Sequence, residues 1–466
     1  MNQATGFLNR YVVPPLTALS ENTYLSAIRA GMVSVVPLTI IGGLFMIVAE
    51  LPVAGWKTLI APYSLLLQVP VTATFGLLSI FVCFAIGYDL GQRLKQEAIV
   101  SASMAVVIFL MLQVNLQPDY SIRLAPPDMS KLSQENLSKL DDESHIELNA
   151  EDLAKLGEQE LSKTDLIFSA SGLRSPLGTG GLFTAIVIAI ITVRVQKFFT
   201  DANLVIKLPE SVPAMVYESF LSLSPLVFLV LVFWIIRFVI GVDINSAVQT
   251  AFAPLVFALN TLPGILAYAF IVTMLWSVGI NGDNAMDAIV APIVFQYLGA
   301  NVEAVTHGQP LPYITANGFF STFVNVGGTG ATIGLALVLW NSKEPGFRKV
   351  SRLSLPTQIF QINEPIFFGI PIVLNPIFMI PYILNALILT TCSYLLMYWN
   401  VIQRPFVNLP WTTPPIIGHY LITGGDWRAA VWGVISILIA MSVYYPFAKV
   451  AERQRLAAEA AGTASE

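Results

Sequence analysis

The chain has 466 residues, of which 55% are hydrophobic and only 11% are charged, and its mean hydropathy is +0.70. Soluble globular proteins carry roughly 25% charged residues, so this composition excludes an ordinary soluble protein and indicates a membrane protein. The net charge is −5 and the sequence has no basic stripe, which argues against a nucleic-acid partner.

Apolar stretches long enough to enter or cross about 30 Å of hydrocarbon recur along the chain. They include Val33–Leu51, Leu182–Val193, Leu223–Ile240 and Tyr382–Tyr398. We expect about ten membrane-entering helices, with ambiguous boundaries at 248–318 and 353–381, where Gly, Pro and Asn interrupt the apolar runs. The sequence therefore predicts an all-α polytopic membrane protein.

Basic residues in short loops predict the orientation, because Lys and Arg are retained on the cytoplasmic side. Arg29 precedes the first predicted span, Arg93 follows the second, and Arg194 follows the fourth. This alternation predicts a cytoplasmic N-terminus and places an acidic insert at 116–165 outside the membrane. The insert is either a solvated segment without function or a cap on the outer face.

A polar cluster interrupts the apolar runs at 276–287, which reads WSVGINGDNAMD. Gly282 permits close approach of the backbone, while Asn281, Asp283 and Asn284 supply donors and acceptors that suit a polyhydroxy ligand. The same residue types also favour an ordinary turn between helices. Both interpretations remain open from the residues alone.

A glycine-rich cluster follows at 325–332, NVGGTGAT, and includes Gly327, Gly328 and Thr329. A phosphate-binding P-loop would need a following Lys and a preceding soluble strand. We expect these small residues to permit close packing of backbone segments instead.

The segment Pro356–Pro376 reads PTQIFQINEPIFFGIPIVLNP and places one carboxylate, Glu364, among apolar residues. Irregular backbone persists at membrane depth only where protein buries it or where it lines a wet cavity. The pattern predicts a re-entrant hairpin with a buried carboxylate, which can accept hydrogen bonds from sugar hydroxyls and take a proton from one. The alternative is a Glu that caps a broken helix or pairs with Arg352.

The three histidines, His145, His307 and His419, are too scattered to form a metal site. We expect each at the surface or at a helix cap, and we predict no metal and no cofactor. The stretch Pro410–Arg428, PWTTPPIIGHYLITGGDWR, is a further broken helix whose Trp411 and threonines could face a ligand or another helix.

At these residues the sequence resembles the EIIC membrane components of the phosphotransferase system (PTS), in the lactose/cellobiose/chitobiose family of the glucose superfamily. The matching signatures are VIKLPESVP at Val205–Pro213, GGTGAT at Gly327–Thr332, QINEPIFFGIPIVLNP at Gln361–Pro376, PWTTPP at Pro410–Pro415 and TGGDWR at Thr423–Arg428. They follow the family order across essentially the whole chain apart from the insert.

The resemblance implies the EIIC fold, with about ten transmembrane helices and two re-entrant hairpins, in a homodimer in the bacterial cytoplasmic (inner) membrane. It implies a dimerising half at 1–240 and a sugar-binding half at 241–450, and we expect a disordered cytoplasmic tail at 451–466. It also implies two partner proteins, a IIB protein that donates the phosphoryl group from a cysteine and a IIA protein. The chain itself would move and present the sugar.

The resemblance gives Glu364 the role of hydroxyl acceptor and candidate base. The other expected substrate contacts are Asn281, Gly282, Asp283, Asn284, Gly327, Gly328, Thr329 and Asn363. Related permeases commonly carry a His where this chain has Asn281, and Asn does not change protonation near neutral pH.

Our main hypothesis is a PTS permease for a β-linked disaccharide or related glycoside. One alternative is an EIIC-like sensor or scaffold that binds a ligand without group translocation. A second alternative is an ion-driven transporter that uses Asp283 and Asp287.

Overall fold

The structure is a computed structural model that describes residues 21–49, 55–114, 176–206, 220–370 and 372–463. Residues 1–113 and 170–466 form one compact unit, and residues 114–169 form a second. Nearly all of the second unit lies outside the described residues, and with it the predicted acidic insert at 116–165. Most of the Val205–Pro213 signature lies outside them as well.

The N-terminal half is built around one central helix. Its helices are α1 (Thr23–Ser34), α2 (Val36–Ala49), α3 (Trp56–Ile60), α4 (Ser64–Phe75), α5 (Leu78–Arg93), α6 (Ala98–Leu112), α7 (Leu182–Asp201) and α8 (Leu223–Trp234). Helix α5 packs against α1, α6 and α7. Its buried face repeats at helical spacing through Val82, Ile86 and Leu90, so the apolar period of the sequence decides which side faces inward.

The C-terminal half alternates long helices with short broken ones. Its helices are α9 (Ile244–Leu259), α10 (Leu262–Ser277), α11 (Gly282–Thr306), α12 (Ile333–Leu339), α13 (Pro345–Ile359), α14 (Glu364–Gly369), α15 (Pro376–Tyr398), α16 (Pro415–Ile422) and α17 (Trp427–Thr463). Helix α15 packs on α10 and α17, and α17 also packs on α12 and α16. Helix α11 contacts α1, so the two halves touch.

The helices have the length and surface of membrane spans. Within the described residues, six helical stretches are long and apolar enough to cross a membrane, or up to seven if the bent pair Leu223–Val239 and Ile244–Leu259 is one span. Large apolar side chains face outward, and Leu65 and Phe257 are each 76% exposed. The prediction of an all-α polytopic membrane protein is confirmed, whereas the ten helices and the re-entrant hairpins stay predictions.

Two helices extend further than their apolar residues indicate. Helix α1 begins at Thr23, where Asn22 caps it by accepting the amides of the next turn, so Arg29 lies within this helix and not before it. Likewise Arg194 lies inside α7. Backbone hydrogen bonds continue a helix past its apolar residues, and long basic side chains can still extend to the water interface. Hydropathy alone therefore misplaced the start of α1 and the end of α7.

The last helix occupies most of the stretch that we expected to be disordered. Helix α17 continues to Thr463, whereas the disordered tail was predicted at 451–466. The buried carboxylate of Glu452 accepts a hydrogen bond of 2.7 Å from the Ser342 hydroxyl. This contact, made across 110 positions of the chain, ties the end of α17 to the start of α13.

Candidate functional site

The polar cluster at 276–287 and the glycine-rich cluster at 325–332 meet at the carboxylate of Asp283. The Thr329 hydroxyl donates to it at 2.6 Å, the Trp276 indole N–H at 2.8 Å and the Asn325 amide at 3.4 Å. Hydrogen bonds to a carboxylate are charge-assisted and therefore stronger than neutral ones. Asp283 thus fastens the first turn of α11 to the glycine loop, which we define as Asn325–Thr332, and its oxygens are used by protein donors.

Local capping decides where α11 begins. The side-chain oxygen of Asn281 accepts the amide of Asn284 at 2.9 Å, as an N-cap residue does. A Cβ atom on Gly282 would collide with the carbonyl oxygen of Val272 in α10, so only glycine fits there. Asn281, Gly282 and Asn284 therefore form the start of a helix, which places Asp283 in its first turn.

The glycine loop needs the backbone freedom of glycine. The φ angles of Gly327, Gly328 and Gly330 are +75°, +104° and +77°, a region that other residues rarely adopt. A Cβ atom on Gly328 would collide with Asn363, and one on Gly330 would collide with the Tyr382 ring. The absence of side chains lets the loop lie directly against the NEP segment, Asn363–Pro365.

Side-chain amides of the NEP segment and of Gln361, two residues before it, bond to the glycine loop. Asn363 donates from Nδ2 to the Thr329 carbonyl at 3.0 Å. Gln361 accepts the Gly327 amide at 3.2 Å and donates to the carbonyls of Ser321 and Thr413 at 3.2 Å each. Gln361 therefore connects three separate segments of the chain.

The role of Gln361 was not predicted. Its φ angle of +68° is unusual for a residue with a side chain, and its three hydrogen bonds hold that conformation. The one signal in the sequence was a polar residue in apolar surroundings just before the NEP motif.

Glu364 begins α14 and its side chain is exposed, so the expectation of a buried carboxylate is wrong. The buried side of this short helix carries Ile366 and Phe367, and the first residue points away from it. Arg352 is not its partner, because Arg352 donates to the Trp340 carbonyl at 3.3 Å and lies over the Trp340 ring. Among the described residues none donates a hydrogen bond to the Glu364 carboxylate, which leaves it accessible to a ligand.

Aromatic side chains pack next to these polar groups. The buried ring of Phe367 packs edge-to-face against Trp276 at 5.1 Å and lies 5.6 Å from the Tyr382 ring. The Tyr444 hydroxyl donates to the Gly330 carbonyl at 2.8 Å.

The structure places the predicted histidines in different settings. His307 is exposed at the C-terminal cap of α11, as predicted. His419 is fully buried, so the expectation of a surface or capping residue is wrong: its Nδ1 bonds the Pro415 carbonyl and its ring packs edge-to-face on Phe323. His145 lies outside the described residues.

The structure thus brings five of the predicted site residues into direct contact: Asp283, Gly327, Gly328, Thr329 and Asn363. Glu364 follows Asn363 and presents its carboxylate from this assembly. Asn281, Gly282 and Asn284 stay at the start of α11. An accessible carboxylate on a rigid polar support can accept hydrogen bonds from a polyhydroxy ligand.

Comparison with known proteins gives a consistent result. The family model described as phosphotransferase system, EIIC, matches residues 29–386. The lichenan permease IIC component of Bacillus subtilis is 29% identical over 98% of this chain and 96% of its own length. The lactose-specific EIICB component of Streptococcus mutans is 28% identical over 97% of this chain and 73% of its own length.

A solved structure is similar over the same extent. The crystal structure of the transporter ChbC, the IIC component from the N,N'-diacetylchitobiose-specific phosphotransferase system, has a TM-score of 0.83 and 30% sequence identity. The match covers 97% of this chain and 99% of that one.

Proposed function

We propose, since the chain belongs to the EIIC family of the phosphotransferase system, that it binds a β-linked disaccharide or related glycoside and carries it across the membrane for phosphorylation. Sugar permease function follows from the family. The substrate class is supported by the names of the relatives, because lichenan, lactose and N,N'-diacetylchitobiose all contain β-linkages.

The observation that carries this function is the accessible Glu364 carboxylate next to an immobilised Asn363. A carboxylate with unused lone pairs accepts charge-assisted hydrogen bonds from sugar hydroxyls and can take the proton of the hydroxyl that receives the phosphoryl group. The glycine loop supplies backbone groups at close range. Asn363 fixes the NEP segment through its bond to the Thr329 carbonyl and thereby positions Glu364 for the sugar.

The phosphoryl group comes from a IIB component that a IIA protein recharges. The lactose-specific EIICB relative supports this partnership, because its name joins a B component to the EIIC component. The protein works as a homodimer in the bacterial cytoplasmic membrane, with its N-terminus in the cytoplasm. These three statements are what membership of the family implies, and the basic residues beside the predicted apolar spans favour the same orientation.

Binding of radiolabelled lactose, cellobiose and N,N'-diacetylchitobiose to the purified full chain tests the proposal. We expect saturable binding of at least one sugar and a loss of at least about tenfold in affinity for Glu364→Gln, which removes the charge from the hydrogen bond. Asp201→Asn is the matched control, since Asp201 is an exposed carboxylate that pairs with Lys197 at 2.9 Å. Wild-type affinity and uptake in Glu364→Gln would refute the role of this residue.

One observation favours the sensor or scaffold as a second candidate. Asn281 stands where related permeases commonly carry a His, and its side-chain oxygen is engaged in capping α11. Vesicles supplied with phosphorylated IIB distinguish the two functions. A permease produces sugar phosphate on the IIB side, whereas a sensor binds the sugar and yields no phosphorylated product.

A further inference from the structure

A positively charged surface lies where residues 340–352, at the end of α12 and the start of α13, meet residues 449–455 of α17. We call it the basic surface, and its members are Lys343, Arg348, Lys349, Arg352, Lys449, Arg453 and Arg455. The Arg455 guanidinium lies 4.9 Å from the centre of the Phe347 ring in α13. Arg352 reaches back from α13 to the carbonyl of Trp340 at the end of α12.

The carboxylates of these segments are buried and bonded within the fold. In 341–352 and 449–458 they are Glu344 and Glu452, which are 3% and 4% exposed. Glu344 accepts two amides in the first turn of α13 as its N-cap. Glu452 accepts the Ser342 hydroxyl and pairs with Lys449 at 2.6 Å. Of the seven cations, Lys449 and Arg455 pair with these two carboxylates, the second at 4.0 Å, so the other five give the surface its net positive charge.

Apolar and aromatic side chains are interleaved with the cations. Arg352 lies 5.4 Å from the Trp340 ring and Lys449 lies 6.0 Å from the Tyr445 ring, and both rings are exposed. Leu353, the residue after Arg352, is 68% exposed. Aromatic rings beside cations at the ends of apolar helices are typical of the boundary between lipid and water. Helix α17 contributes to a candidate span, Trp427–Ala458, so the basic surface lies at such a boundary.

We propose that the basic surface binds the phosphate-bearing headgroups of anionic phospholipids at the cytoplasmic face of the membrane. Guanidinium groups can donate two parallel hydrogen bonds to a phosphate, while the exposed Leu353 and Tyr445 side chains contact the acyl boundary. The alternation of cations with exposed apolar groups favours lipid over an acidic protein, because lipid satisfies both.

Lipid bound here also bears on the sugar site through a direct packing contact. A Cβ atom on Gly369, the last residue of α14, would lie 2.7 Å from Cγ1 of Val350 in α13. The helix that begins with Glu364 therefore rests against the helix that carries Arg348, Lys349 and Arg352. Anionic lipid at the basic surface stabilises the position of α13 and, through it, of α14.

Native mass spectrometry of the purified full chain, titrated with phosphatidylglycerol or phosphatidylcholine, tests the proposal. We expect the wild type to retain phosphatidylglycerol preferentially. The variant Arg348→Gln/Arg352→Gln/Arg455→Gln should bind it on the order of 100-fold more weakly, with phosphatidylcholine unaffected. The matched control Arg93→Gln/Lys95→Gln removes two exposed cations at the end of α5 and should keep the preference.

Further measurements separate the proposal from its competitors. Replacement of the same three arginines by Lys should keep most of the lipid preference. A cooperative thermal unfolding transition of the Gln variant in detergent shows that it is folded. Equal phosphatidylglycerol affinity in wild type and Gln variant overturns the proposal. A second outcome also overturns the proposal: a Gln variant that still binds phosphatidylglycerol but no longer supports sugar phosphorylation by phosphorylated IIB. The surface would then be a docking site for IIB.

Discussion

The Thr329 hydroxyl donates a 2.6 Å hydrogen bond to the Asp283 carboxylate, and the two residues are 46 positions apart in the chain. The bond holds the glycine loop against the first turn of α11. The Asn363 side-chain amide donates a second hydrogen bond to Thr329, to its backbone carbonyl. One threonine therefore couples the start of α11 to the residue that precedes Glu364.

Removal of the Thr329 hydroxyl should weaken the attachment of the glycine loop to α11. Thr329→Val keeps the side-chain shape, and we expect a loss of about 1.5–3 kcal/mol, the range for hydrogen bonds to charged groups. A double-mutant cycle with Asp283→Asn, followed by thermal unfolding in detergent, should give a coupling of at least about 1 kcal/mol. Thr250→Val is the control, since Thr250 is exposed and bonds only the Ser246 carbonyl of its own helix, at 2.8 Å. Additive effects of the two site substitutions would contradict the coupling.

Gly328→Ala should damage the site by collision as well as by backbone strain. Its Cβ atom would meet Asn363 at a φ angle of +104°. Gly308→Ala separates the two effects, because Gly308 has a φ angle of +64° but nothing within 4 Å of an added Cβ. We expect about 1–2 kcal/mol of strain alone at Gly308 and a larger loss with weakened sugar binding at Gly328. Equal unfolding temperatures and sugar affinities for the two variants would rule out the collision.

Gln361→Glu should be more harmful than its small change in shape indicates. The amide group of Gln361 donates to two carbonyls, and a carboxylate would place negative charge against both. We expect a cost of about 2 kcal/mol or more in stability together with loss of sugar binding. Gln92→Glu, at an exposed position of α5, is the control and should behave as wild type. Unchanged thermal unfolding of Gln361→Glu would show that these contacts contribute little.

Asp426 should make stability depend on pH at the start of α17. Burial raises the pKa of this carboxyl, but hydrogen bonds from Arg428 and from the Gln403 amide outweigh burial and leave its pKa below the usual value. A lowered pKa stabilises the folded state above the unfolded pKa of about 4, and this contribution is lost as the pH falls through the folded pKa. Asp426→Asn should therefore lower the Tm at pH 7 and approach the wild-type Tm below that range.

Thermal unfolding of both proteins between pH 7 and pH 3 checks this expectation. A Tm difference that stays constant across the range would show that the ionised carboxylate is not the source of the stabilisation.

The sequence by itself determined the membrane class, the helical architecture and the family. Low charge and long apolar runs are properties of local composition, and helical burial repeats within one element, as in Val82, Ile86 and Leu90 of α5. The NEP and GGTGAT signatures are contiguous, so they could be recognised without knowledge of their contacts. The choice between a turn and a ligand site at Asn281 could not be made, because both use the same residue types.

The tertiary structure alone decided how the site is assembled. Asp283, Gln361 and Asn363 bond partners 34 to 52 positions away, and no local period encodes such distances. The exposure of Glu364, the burial of His419 and the attachment of α17 to Ser342 likewise depend on which distant segment packs against each residue. Local residue types determine which hydrogen bonds are possible, whereas packing between segments determines which of them form.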